Sequence, residues 1–264
     1  MSAPTDRPPC PPPLPLSRSL DELGLTAVLL FLVVSVTRWL RAPSSPIYVA
    51  DLGIALAVIG AFSGLLLVAL ILSPPGRRSG GHMNPAVTAA LWLMDVFPGL
   101  SVLPYVVAQL TGSVLGVVLA RLTWGPIVGS ADIAYAAIRP APTWDPPAVF
   151  LAEVGCTLGL ILLVGFFLAH PRWHRFLPPA LAVALAAIIA LLGPLSGGSA
   201  NPARQWGPAL LSAQGTDLWI YLVAPVIGAV LGAGLHHLLI RRFHTHQPLT
   251  YNLSGPEPAR AGAA

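Results

Sequence analysis

Six stretches of this chain, near residues 22–40, 51–72, 101–121, 148–169, 177–193 and 218–240, are apolar over the length needed to cross a bilayer. A spanning helix takes about 20 such residues. A lipid interior supplies no water to backbone N–H and C=O groups, so spans of this kind must be helices. Only 9% of the 264 residues are charged, against about 25% in an ordinary soluble domain, so most side chains never meet water. These features predict an all-α membrane protein with six transmembrane helices and short loops. The net charge of +4 is spread too thinly for nucleic-acid binding. The two cysteines, Cys10 and Cys156, have neither a metal-site spacing nor settings that suit a disulfide. Cys156 reads as a small buried hydrophobe, and no metal or cofactor is expected.

Two stretches, 73–100 and 194–216, break the spanning pattern. Each opens on Gly, Pro and Ser, continues into Asn-Pro-Ala (Asn84-Pro85-Ala86 and Asn201-Pro202-Ala203), and ends in an apolar segment too short to span. Two re-entrant half-helices fit this pattern. The triplets lie 117 residues apart, and residues 105–116 (YVVAQLTGSVLG) match residues 221–232 (YLVAPVIGAVLG) at seven of twelve positions. Glu22 and Glu153 recur near the start of each half. Each copy holds three spans, an odd number, so the second copy enters from the opposite face and the repeat is inverted. The two short helices then approach each other from opposite sides.

Asn is a favoured helix N-cap, and Pro is favoured at the first helical position because its missing N–H would be unpaired anyway. Each triplet therefore starts a helix. Two helix N-termini face one another at membrane depth, each carrying a partial positive charge of about half a unit. The runs Ser79-Gly80-Gly81-His82-Met83 and Ser196-Gly197-Gly198-Ser199-Ala200 can extend and offer a line of carbonyl acceptors. Irregular backbone at this depth is tolerated only where it is buried in protein or lines a water-filled cavity. Neither acid stands beside a nucleophile or a second catalytic group, so no catalytic site is expected.

On these residues the chain resembles the aquaporin family, the major intrinsic proteins, from about Glu22 to Ile240; the second triplet also extends to Asn201-Pro202-Ala203-Arg204. The resemblance implies a homotetramer with one pore per subunit, open to water and small uncharged solutes such as glycerol, urea or boric acid. It assigns Asn84 and Asn201 as pore asparagines and Arg204 as the arginine of a selectivity filter. Glu22 and Glu153 become acids that brace the pore loops. Ungapped spacing puts the remaining filter positions at Gly64, Ile189 and Gly198, with Phe62 in place of Gly64 if Ser73–Arg78 carries a gap. Water-selective members have His where Ile189 stands, so a wider and more apolar opening is expected. Gln205 and Ala209 replace residues typical of glycerol channels.

The family-like domain is placed at 21–242, with repeats at 21–122 and 148–240, between a disordered Pro-rich tail at 1–20 and a second tail at 243–264. With six spans both termini share a side. That side takes Arg7, Arg18, Arg77, Arg78, Arg172, Arg175, Arg241, Arg242 and Arg260, against Arg38, Arg41, Arg121 and Arg139 opposite. This excess points to cytoplasmic termini in the plasma membrane. Trp39, Trp144, Trp173 and Trp219 fall at span ends as interfacial anchors. Two other classes share inverted repeats in a bilayer: an alternating-access secondary transporter and a closed-pore structural protein.

Overall fold

The computed structural model describes residues 13–239 except 214 and 216. Most of both expected tails, with Arg7, Cys10, Arg241, Arg242 and Arg260, lies outside the described residues. Among the described residues six helical stretches are long and apolar enough to span: α1 (Leu16–Arg41), α2 (Leu52–Leu72), α5 (Val102–Trp124), α6 (Pro146–Ala169), α7 (Leu177–Leu192, lengthened by the 3₁₀ turns at Pro171–Phe176) and α9 (Leu218–Leu239). Between them lie a single-turn helix α3 (Pro74–Ser79) and the half-helices α4 (Pro85–Leu93) and α8 (Pro202–Ser212). At 1.5 Å per residue, the 21 residues of α2 cover about 32 Å. The nine residues of α4 and eleven of α8 reach only about half that depth. We call the face where α1 begins the terminal face, and the opposite one the distal face.

The start of α1 differs from expectation. Residues 16–20, assigned above to the disordered tail, are helical. Pro15 occupies the cap position with φ −54° and ψ 142°, and its carbonyl accepts from Arg18 N. Ser19 is buried, and Leu14 N donates to Ser101 Oγ at 2.8 Å. The prolines thus end at a helix start and leave the following residues packed.

Helix pairing follows the repeat. α1 packs on α5 and α6 packs on α9, while α2 and α7 pair across the pseudo-two-fold axis. Glycine permits the close approach. A Cβ on Gly112 would lie 2.3 Å from Leu23 O of α1, and one on Gly228 would lie 2.4 Å from Val154 O of α6. Each half-helix then crosses to the other repeat: α4 lies against α9 and α8 against α5. The apolar side of α4, Ala86, Ala90 and Leu91, is buried with Ile161, Val164, Ala229 and Ala233 from α6 and α9. Met83 joins the other large cluster, with Leu30, Val34 and Val117. The core is therefore wrapped around the two re-entrant segments.

Candidate functional site: two capped half-helices in one cavity

The Asn-Pro-Ala triplets cap α4 and α8 with matching geometry. Asn84 Oδ1 accepts from Ala86 N at 2.9 Å and Val87 N at 3.4 Å. Asn201 Oδ1 accepts from Ala203 N at 2.9 Å and Arg204 N at 3.4 Å. Pro85 and Pro202 fill the first helical positions, where a missing N–H costs nothing. The two caps are also joined to each other. Asn84 Nδ2 donates to Ala200 O at 2.9 Å, and Asn201 Nδ2 donates to Met83 O at 2.9 Å. An amide nitrogen has two hydrogens, so one on each asparagine stays available to the cavity that both side chains line.

The segments leading into the caps are hung from the two acids. Glu22 Oε1 accepts from Ser79 Oγ at 2.6 Å and His82 N at 3.0 Å, and its Oε2 accepts from Met83 N at 2.7 Å. Glu153 Oε1 accepts from Ser196 Oγ at 3.0 Å and Ser199 N at 3.1 Å, and its Oε2 accepts from Ala200 N at 2.8 Å. Both acids are fully buried, where each hydrogen bond to a carboxylate contributes on the order of 1.5–3 kcal/mol. Left-handed backbone is needed in both runs, at Gly80 and Gly197 (φ 99° each) and again at Met83 (47°) and Ala200 (48°). Glycine takes such angles freely, whereas Met and Ala are strained there; the bonds to the acids hold them in place.

Several bracing residues escaped the sequence reading. Tyr105 and Tyr221 donate their hydroxyls to Ser79 O at 2.8 Å and Ser196 O at 2.6 Å. Their signal was present, since both tyrosines and both serines recur at the repeat offset. Gln109 and Thr88 carried no such signal, because Pro225 and Gln205 stand at the equivalent positions. Gln109 Nε2 donates to Glu22 Oε2 at 2.8 Å and Thr88 Oγ1 at 3.0 Å, and His82 Nδ1 lies 3.1 Å from the same hydroxyl.

A cavity of about 730 Å³ runs between the two faces. Arg77, His174 and Arg175 lie at its terminal end and Arg41, Asp132 and Arg139 at its distal end. One wall carries backbone: Gly80–Asn84 and Gly197–Asn201. The carbonyls of Gly81, Gly197, Gly198 and Ser199 accept no hydrogen bond from the described residues, leaving a row of acceptors. The opposing wall, from α2 and α7, is apolar: Leu56, Ile59, Leu67, Leu181, Leu185 and Ile189, with Ser63 as the exception.

Of the expected filter residues, Arg204, Ile189 and Gly198 line this cavity together. Arg204 Nη1 donates to Ala136 O at 2.6 Å. A Cβ on Gly198 would meet Ile188 O at 2.9 Å, so only glycine leaves room at that point. Gly64 does not line the cavity. It is buried in the α2–α7 contact, where a Cβ would stand 2.5 Å from Ala182 O. Phe62, the alternative, is more than a third exposed and also lies off the cavity. The α2 residue level with Ile189 is Ile59, because a Cβ on the adjacent Gly60 would lie 3.2 Å from Ile189 Cβ. The spacing failed because Pro74–Ser79 coils into α3, which takes up chain without advancing along the cavity.

The sequence model described as Major intrinsic protein matches residues 19–236. The chain belongs to the major intrinsic protein family. Relatives within this family include a probable aquaporin AqpM from Archaeoglobus fulgidus, 35% identical over 69% of this chain and 81% of that protein. The propanediol uptake facilitator PduF of Citrobacter freundii is 34% identical over 70% of this chain and 84% of its own length. The fold matches the aquaglyceroporin of Plasmodium falciparum with a TM-score of 0.73 at 24% identity, covering 86% of this chain and 97% of that one. Major intrinsic proteins are membrane channels, not enzymes, and this member is accordingly a multi-pass channel protein.

Proposed function

We propose that the chain is a passive channel for water and small uncharged solutes of the glycerol, urea and boric acid type, and that it excludes protons and ions. The observation that carries this reading is the pair of asparagine-capped helix N-termini meeting in one cavity. A neutral solute passing between them meets two amide donors on one wall and apolar side chains on the other. Its hydroxyls exchange bulk water for Asn84, Asn201 and the row of carbonyls, while its carbon or bare face slides along Leu185 and Ile189. A cation at the same point faces two partial positive charges. Cation and proton exclusion by half-helix dipoles is a known property of aquaporin-type pores and is carried over here on that basis.

Selectivity falls to Arg204, Ile189 and Gly198, joined by Ile59 in place of Gly64. Ile189 and Gly198 offer no side-chain donor, which favours solutes bulkier than water over strict water selectivity. The named relatives fit either preference, one being called an aquaporin and another a propanediol facilitator. The excess of Arg on the terminal face supports cytoplasmic termini in a plasma membrane, and family membership supports a homotetramer with one pore per subunit.

The test is light scattering from liposomes holding the purified protein, after osmotic steps in sucrose, glycerol, urea and boric acid. The expected result is water and solute fluxes above those of empty liposomes, with no proton leak. Fluxes equal to empty liposomes would refute the channel reading. Water flux without solute flux would refute the wide opening, and saturable uptake tied to an ion gradient would replace the channel with a transporter.

A further inference from the structure

Resting on that channel reading, we infer that Gln205 is a positioning residue: it clamps a strained distal loop, and the loop in turn holds Arg204 at the constriction. The residue follows Arg204 on α8 and is almost wholly buried. Its amide pairs with both peptide groups of Ile138. Ile138 N donates to Gln205 Oε1 at 2.8 Å, and Gln205 Nε2 donates to Ile138 O at 3.0 Å.

The segment just before Ile138 is under strain. Ala134, Tyr135 and Ala136 have φ of 44°, 55° and 59°, three successive left-handed residues with side chains. L-residues rarely adopt that conformation in runs, because Cβ crowds the following carbonyl. The turn persists only while its surroundings over-determine it. Its product is the placement of Ala136 O, which accepts from Arg204 Nη1 at 2.6 Å. Apart from a marginal 3.5 Å contact with Gln205 Oε1, this carbonyl is the guanidinium's sole hydrogen-bond partner among the described residues.

The loop also has space behind it. A second cavity of about 390 Å³ is walled by Pro140, Trp144, Asp217 and Tyr221, and Ile138 and Arg139 line both it and the channel. Without the clamp, the turn can relax into this space, taking Ala136 O away from Arg204. The residue type matters. An amide both donates to and accepts from a peptide group, whereas a carboxylate would still accept from Ile138 N but would set lone pairs against Ile138 O. The clamp therefore bears on aperture without touching the solute.

Two measurements test this. Gln205→Ala and Gln205→Glu are reconstituted in liposomes, and the ratio of glycerol to water permeability is read. That ratio does not depend on how much protein is folded. For Gln205→Ala it is expected to rise about five-fold, the worth of one hydrogen bond that positions Arg204, with Gln205→Glu in between. Hydrogen exchange of the amides at 131–141 is expected to quicken in Gln205→Ala. An unchanged ratio in conducting protein, or both fluxes falling together, overturns the inference, as does unchanged exchange. If wild-type protein conducts neither glycerol nor water, the channel reading falls, and the exchange measurement still decides the clamp.

Discussion

Glu153→Gln isolates what the buried acids contribute. Glu153 accepts three hydrogen bonds, two at Oε1 and one at Oε2. An amide keeps a single acceptor oxygen. With that oxygen facing Ser196 and Ser199, the new NH₂ meets Ala200 N–H donor to donor; the reverse orientation breaks two bonds instead. The gentler arrangement loses one bond to a charged acceptor and leaves Ala200 N–H unpaired in the interior, together about 2–4 kcal/mol. For a chain of this size 1 kcal/mol moves the unfolding midpoint by about 2–4 °C, so a drop of roughly 5–10 °C is expected. Differential scanning fluorimetry on detergent-purified protein reads it, with Cys156→Ser, a buried neighbour one turn along, as a control for local packing. Glu22→Gln provides an internal comparison. Gln109 already sits on Glu22 Oε2 at 2.8 Å, and its own Oε1 is buried without a partner. Flipping Gln109 to face the new amide with Oε1 gives up its bond to Thr88 Oγ1 and still leaves Met83 N–H unpaired, so the loss at Glu22 is expected to be at least as large. A midpoint for Glu153→Gln within about a degree of wild type would refute the idea that the second loop is hung from this acid.

Tyr105→Phe and Tyr221→Phe each remove one bond to a serine carbonyl; each is expected to cost about 1 kcal/mol, and equal midpoints would mark the two as true repeat counterparts. Gly112→Ala pushes a methyl to 2.3 Å from Leu23 O, and Gly228→Ala to 2.4 Å from Val154 O; both are expected to separate α1 from α5 or α6 from α9 and to lower the yield of monodisperse protein on gel filtration, while Gly155→Ala, with nothing within 4 Å, leaves it unchanged. Ile189→His places a donor and a stiff ring on the apolar wall. Glycerol flux is expected to fall relative to water about tenfold, equivalent to ~1.4 kcal/mol of added barrier, as read by stopped-flow light scattering.

The spans and the two caps were legible because each rests on local chemistry: twenty apolar residues, or an Asn before a Pro. α6, expected at 148–169, runs Pro146–Ala169, and α7, expected at 177–193, ends at Leu192. Glu22 and Glu153 were legible because an acid recurs near the start of each half and the family resemblance gave both the task of bracing the pore loops. Where the halves diverge, the reading failed. Gln109 and Thr88 act in one repeat alone, so nothing in the other pointed to them. Gly64 was misplaced because ungapped spacing assumes the family's chain length between the second span and the first triplet, and Pro74–Ser79 takes up chain there by coiling. The left-handed turn at Ala134–Ala136 left no trace in the sequence, since no glycine marks it; it is held by its own backbone hydrogen bonds and by contacts with α8 made far along the chain.

The crossed amides at the centre also constrain the order of assembly. Asn84 finds its acceptor at Ala200, and Asn201 finds its own at Met83. Neither repeat can finish its half of the site by itself. As the chain emerges during synthesis, Asn84 precedes its counterpart by 117 residues, and its amide waits beside a helix cap with no carbonyl to meet. The midpoint of the channel therefore closes as a late step of biogenesis, when the last re-entrant segment enters from the far side of the bilayer and both handshakes form at once.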